Sequence, residues 1–401
     1  MSQLAPEPRL VEHDPAPHRA DRFLSRLGSG ISSLVLAWPL MITLFVIALL
    51  LNVGMGAFSV SPDRVLIIIL NHLGELLDKL PWLDPVRGSI ADAASAIGLN
   101  RANLGLTADI SRQQDSVVWI IRLPRTLLAA SVGAGLAICG AAMQGMFRNP
   151  LADPSLIGVS SGSALGAVFS IVAGITILGA WTLPVFAFIG GLITTAIVYL
   201  IARHEGRAEV VTLLLAGVAL NAIAGAGIGL LLSIADNNQL RSATFWTLGS
   251  LGGTRWLHVG IVGLVTTIGI IIITRYGTAL NLMTLGEREA RHLGIQTERV
   301  RLILVITTAA MTGAAVAFSG TIGFIGLIVP HLIRLWLGPD HRRLLPLAAI
   351  TGAALLLFAD LISRTAAAPS EFPIGVTMSL AGGPFFIWLL LRTRREQGGW
   401  A

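Results

Sequence analysis

Residues 154–202 read PSLIGVSSGSALGAVFSIVAGITILGAWTLPVFAFIGGLITTAIVYLIA, 49 consecutive positions without one Asp, Glu, Lys or Arg. One helix crossing a bilayer takes about 20 predominantly apolar residues, so this stretch is long enough for two. Uncharged runs also cover 31–62, 126–147, 210–235, 256–274, 302–333, 344–359 and 372–391. Over all 401 residues, 54% are apolar and 12% charged, against about half and about a quarter in soluble domains. The chain reads as an all-α polytopic membrane protein of about ten transmembrane helices. They are expected near 31–52, 126–147, 157–178, 182–202, 211–234, 257–274, 302–319, 323–337, 344–361 and 374–391. What lies between them is too short for a soluble catalytic domain of usual size.

Cytoplasmic loops carry an excess of Arg and Lys. With the N-terminus inside, most of the 28 basic residues fall in inner segments: Arg9 to Arg26, Arg148, Arg203 and Arg207, Arg275 to Arg301, Arg334 to Arg343, and Arg392 to Arg395. Both termini are therefore expected in the cytoplasm, with tails at 1–30 and 396–401 and a membrane domain over 31–395. An outer segment, 58–118, is the one sizeable piece outside the bilayer, and Val65 to Leu83 within it has the mixed pattern of a helix lying on a surface. It reads equally as a cap over the outer mouth or as a tolerated surface insertion. Trp246 and Trp256, in a second outer piece, are expected at the lipid headgroups. Small residues such as Gly133, Gly140 and Gly217 let helices approach closely in lipid, while some glycines are left to line or hinge a pathway.

The net charge of +6 is scattered over run ends and forms no nucleic-acid stripe. Cys139 is the sole cysteine, which excludes an internal disulfide or a cysteine-built metal site. Ion-coupled carriers keep ionisable groups at mid-membrane; here Asp360, Arg364, His331 and His258 sit towards span ends and read as packed or end-of-helix residues. A P-loop needs a lysine to reach the phosphates. The single lysine, Lys79, lies between Asp78 and Leu80 on the outer side, so nucleotide hydrolysis falls to a partner. The inner segment 276–301 contains Leu285-Gly286-Glu287-Arg288-Glu289-Ala290-Arg291-His292-Leu293-Gly294, a short amphipathic helix ended by glycine. That pattern suits a docking element for such a partner and equally a solvated connector.

Further motifs follow in order: Arg122-Leu123-Pro124-Arg125, Arg148-Asn149-Pro150-Leu151-Ala152-Asp153-Pro154, Gly158-Val159-Ser160-Ser161-Gly162, Gly323 to His331, Gly338 to Pro346, Phe372-Pro373-Ile374-Gly375 and Gly382-Gly383-Pro384-Phe385-Phe386. Together they resemble the FecCD-type permeases of ABC importers for cobalamin, iron siderophores and haem, over about 31–70 and 115–395. Residues 73–112 depart from that pattern as an insertion. The resemblance implies a ten-span permease working as a homodimer with its pathway at the dimer interface, two cytoplasmic ATPase subunits carrying ATP and Mg, an external (periplasmic) solute-binding protein, and a bacterial inner membrane. No cofactor or metal is implied for the chain itself.

The same resemblance implies roles for particular residues. Leu285, Gly286, Glu287, Ala290, Arg291, Leu293 and Gly294 match the helix that couples to the ATPase, the glycines and Ala290 permitting close approach. Arg122, Arg125 and Arg364 match outer arginines that receive acidic residues of the binding protein. Asn149 and Leu151 match the cytoplasmic gate, or else merely shape a turn. Residues 213–222, 235–241 and 244–253 look most like the haem-importing branch, where Arg241 could meet haem propionates or simply face solvent. A ferric siderophore or cobalamin is the alternative substrate.

Overall fold

The computed structural model describes residues 19–56, 58, 60–78, 110–205, 207–368 and 370–396. Lys79, most of the 73–112 insertion, residues 79–83 of the expected surface helix, and the ends of both tails lie outside the described residues. The fold is all-α. Its helices are α1 (Arg19–Gly54), α2 (Pro62–Asp78), α3 (Arg112–Phe147), α4 (Val159–Val172), α5 (Thr182–Ala202), α6 (Val210–Ile234), α7 (Asn237–Thr247), α8 (Trp256–Arg275), α9 (Gly277–Leu285), α10 (Glu287–His292), α11 (Thr297–Ser319), α12 (Ile325–Leu337), α13 (His341–Thr365) and α14 (Ile374–Glu396). A two-residue hairpin pairs Arg203 with Ala208 and His204 with Arg207 between α5 and α6.

Seven of these helices are long and apolar enough to cross a membrane: Leu36–Gly54 within α1, then α3, α5, α6, α8, α11 and α13. Three shorter apolar helices, Val159–Val172, Ile325–Leu337 and Ile374–Leu389, fall where the remaining spans were expected. The 154–202 run does divide in two, but its first half is a shorter helix than expected. A 3-10 turn, Pro154–Ile157, precedes α4, and Gly158 (φ +80°) and Gly174 (φ +62°) bracket it with left-handed backbone. The Gly323 to Gly326 irregularity starts α12 with Phe324 at φ +69°. A methyl group at Gly382 would lie 2.4 Å from the Phe324 side chain. Gly382 lies inside the continuous helix α14, so of the two stretches expected to be irregular only the one around Gly323 and Phe324 departs from helix, and Phe324 packs over Gly382.

The core is built on α3, which packs along α13, α8, α11 and α12. Its close approach to α13 rests on Gly133 and Gly352: a Cβ at Gly133 would meet the Gly352 carbonyl oxygen at 2.3 Å. Gly140 crosses Gly326 of α12 as tightly, at 2.1 Å. On α6, Gly217 abuts the Leu156 carbonyl, whereas Gly225 and Gly229 have nothing within 4 Å and lie on a helix whose apolar surface is largely exposed. Cys139 is fully buried, its Sγ 3.7 Å from the Met311 sulfur, which is a packing role.

At the end holding α7, three loops are laced together. Ser250 N–H donates to Ser319 O (2.8 Å), Ile374 N–H to Gly249 O (3.2 Å), Gly375 N–H to Leu248 O (3.1 Å), and the Thr321 hydroxyl to Thr247 O. At the same end, α2 buries Val65 and Ile68 against Val53, Val118 and Leu123. His72 on α2 stacks on Trp119 at 4.2 Å. Trp256 is held within the chain, its Nε1 donating to Trp119 O at 3.1 Å.

Candidate functional site

Two charged clusters stand out, one at each end of the helix bundle. The first gathers Arg122 and Arg125 from α3, Asp360 and Arg364 from α13, Asn52 from α1, and Glu371 from the loop before α14. Asp360 has no exposed surface. Its Oδ1 accepts from Arg125 Nε at 2.9 Å and lies 2.9 Å from Arg125 Nη2, and its Oδ2 lies 3.5 Å from Arg364 Nε. Arg125 Nη1 also donates to both Glu371 oxygens at 2.9 Å. Arg364 Nη2 donates to the Asn52 carbonyl and to Asn52 Oδ1 (2.9 Å), while the Asn52 amide donates to Leu357 O at 2.8 Å. Arg122 caps the end of α1, its Nη1 donating to Val53 O (3.1 Å) and Gly54 O (2.9 Å) and its Nη2 to Phe58 O.

Arg122, Arg125 and Arg364, expected to receive acidic residues of a binding protein, meet acceptors of this chain itself. All three are buried, at 4%, 8% and 8% exposure, and their guanidinium groups are engaged by the chain's own carboxylates and carbonyls. A buried guanidinium is tolerable only when paired and hydrogen-bonded; all three are held within the chain, with Arg364 Nε and Asp360 Oδ2 in ion-pair contact at 3.5 Å but not hydrogen-bonded. Asp360, expected to be a packed or end-of-helix residue, is fully packed and stands at the centre of the cluster. A cavity of about 140 Å³ beside Arg125 and Glu371 is lined further by Phe245, Ser250, Ser363 and Phe372.

The second cluster organises the 276–301 loop. α10 forms as expected, starting after Gly286 (φ +137°) and followed by Gly294 (φ +86°). Ala290 and Gly286 are buried in the chain itself, so the close approach that small residues permit is used within this protein. Leu285 (65%) and Leu293 (59%) are exposed with Arg291 between them, and Arg291 Nε donates to Glu287 O at 3.1 Å. Glu287 turns inward to Arg301 on α11, which has no exposed surface. Arg301 also pairs with Glu298 and donates to Ala208 O in the hairpin. Ala208 N–H in turn donates to Glu298 Oε2 at 2.9 Å.

Nearby, Asn281 on α9 donates to Asp340 Oδ1 at 2.6 Å and accepts from His341 N–H at 2.8 Å, tying the loop to the start of α13. Partial burial works against the Asp340 carboxylate. The Asn281 amide, the Arg342 N–H and the charges of Arg342 and Arg343 outweigh that and hold its pKa below the ordinary value.

Asn149 shapes a turn: its Oδ1 accepts from Leu151 N–H at 2.9 Å, after Arg148 ends α3 in left-handed conformation. Leu151 is exposed. Arg241, on α7, is exposed and lies 5.7 Å from the Phe245 ring centre. Among the described residues no cluster of His, Cys, Asp or Glu suits a metal ion. Sequence reasoning missed Asn52, Glu371, Glu298 and Arg301. A polar Asn52 within an otherwise apolar run was the available signal; the others sit at span ends, where charge is ordinary.

Residues 44–392 match the FecCD transport family model. The chain belongs to the FecCD transport family. It is 47% identical over 286 residues to the hemin transport system permease protein HmuU of Yersinia pestis, covering 70% of this chain and 85% of that one. It is 44% identical over 275 residues to the cobalamin import system permease protein BtuC of Halobacterium salinarum, covering 68% and 73%. The vitamin B12 import system permease protein BtuC of Citrobacter koseri is 42% identical over 71% of this chain and 86% of its own length. A metal-chelate-type ABC transporter solved in an inward-facing conformation superposes with a TM-score of 0.71 at 30% identity, covering 88% of this chain and 97% of the other. This FecCD chain is a multi-pass membrane permease of the ABC transporter class, a transport component.

Proposed function

We propose that this FecCD permease imports haem across a bacterial cytoplasmic (inner) membrane. It works as a homodimer of ten-span subunits with both termini inside. A solute-binding protein delivers the ligand to the outer end, and two separate ATPase subunits, which hold the ATP and Mg, drive alternating access from the inner end. The chain performs no covalent chemistry and binds no cofactor of its own.

The observation carrying the haem assignment is the 47% identity spanning 85% of the hemin permease. The partner ATPase is supported by the absence of a second lysine besides Lys79 in the sequence and by the exposed Leu285, Arg291 and Leu293 around α10. The exposed apolar surface on α6 suits a span facing lipid or a second copy. The 44% and 42% identities to cobalamin permeases favour cobalamin as the second reading, and a ferric siderophore is a further alternative.

Uptake into vesicles carrying the whole complex tests the assignment. Haem accumulation that depends on ATP and on the binding protein, exceeding that of cobalamin and ferric siderophores, is expected. Preference for cobalamin or a siderophore would replace haem.

A further inference from the structure

The covalent route from α10 to α11 is a four-residue linker, Leu293 to Gln296, containing Gly294 at φ +86° with nothing within 4 Å of its Cα substituent position. Glycine tolerates that left-handed backbone without steric cost, and the linker folds back on α10, with Gly294 N–H donating to Arg291 O and Ile295 N–H to Ala290 O, both at 3.0 Å. Ala290 on α10 is fully buried and Ile295 packs against the same apolar core, so α10 touches the bundle through apolar contacts that have no fixed direction.

Arg301 adds a directional polar tie to that apolar contact. Its side chain is fully buried one turn into α11 and meets three separate pieces of chain. Glu287 at the start of α10 is one, Glu298 in the first turn of α11 is the second, and the Ala208 carbonyl in the hairpin between α5 and α6 is the third. Glu298 closes the ring by accepting from Ala208 N–H. A planar guanidinium presents five donors in a fixed fork and so fixes the relative positions of the three acceptors, whereas an ammonium's three donors rotate freely. Removing it would leave Glu287 and Glu298 without the cation they share.

We propose that Arg301 is a positioning residue for transport: it makes α10 move as one body with α11 and with the α5–α6 pair, so that force applied at the cytoplasmic loop reaches the bundle. The proposal rests on the reading that a separate ATPase acts on this loop. Arg301 is fully buried in this chain and so acts through the groups it holds.

The test uses the full complex in vesicles, measuring ATP hydrolysis and haem uptake together. Wild type must first show the ATPase co-purifying with the chain and uptake that depends on ATP; failure there defeats the function reading itself. In Glu287→Gln, which loosens only the α10 tie, and in Arg301→Met, the uptake gained per ATP hydrolysed is expected to fall about fivefold or more, with hydrolysis largely retained. Arg301→Lys, which keeps the charge but not the three-way fork, is expected to recover part of that ratio. If Arg301→Met fails to assemble, Glu287→Gln decides alone. Uptake and hydrolysis falling in proportion, or an unchanged ratio in Glu287→Gln, would overturn the proposal.

Discussion

Asp360 is a carboxylate without exposed surface set between two guanidinium groups, those of Arg125 and Arg364. Neutralising it leaves both arginines buried and short of charge compensation, and breaking a buried pair in this way costs about 3–5 kcal/mol. Asp360→Asn is expected to lower the thermal midpoint of the detergent-purified protein clearly. Glu371→Gln, whose side chain is half exposed, is expected to change stability by about 1 kcal/mol or less and so to shift the midpoint less; equal effects would refute the central place given to Asp360. Asp340 has a depressed pKa, so its stabilising contribution is fully present above the unfolded carboxylate value of about 3.9 and is lost as pH falls through its folded value. Melting temperatures between about pH 5 and pH 3 should therefore fall less steeply in Asp340→Asn than in the parent.

Among the elements, the α3–α13 crossing is the least forgiving. A methyl group at Gly133 would collide with the Gly352 backbone, and overpacking of that kind costs about 1–3 kcal/mol. Gly133→Ala is expected to lose stability on thermal unfolding, whereas Gly229→Ala, with open space beside it, is expected to leave it unchanged. Helix positions were legible in the sequence because uncharged runs and the bilayer share a length scale. The early end of α4 was not, since Gly174 is one glycine among many in an apolar run and its left-handed backbone has no local signature. The ion cluster was hidden for a different reason: Arg125 and Asp360 stand 235 residues apart, and only the meeting of α3 with α13 makes them partners. The α10 helix was legible from its glycines and charges, but the inward turn of Ala290 and Glu287 depends on Arg301 and the hairpin, which lie outside that motif.

For the whole molecule, the arginine-based orientation makes opposite ends chemically distinguishable. Cysteines introduced at Arg148 and Arg291 are expected to react with an impermeant maleimide only in inside-out vesicles. A cysteine at Asn237 should react only in right-side-out ones. Labelling of all three from one side would reject the layout with both termini in the cytoplasm.

Cys139 gives such labelling an unusual clarity. It is the single cysteine in 401 residues and sits sealed against Met311 in the bundle core. The unaltered protein is accordingly a dark background for thiol chemistry. Spin labels or fluorophores can be placed in pairs to time the motion of α10 against α11 while every native side chain in the core stays where folding put it.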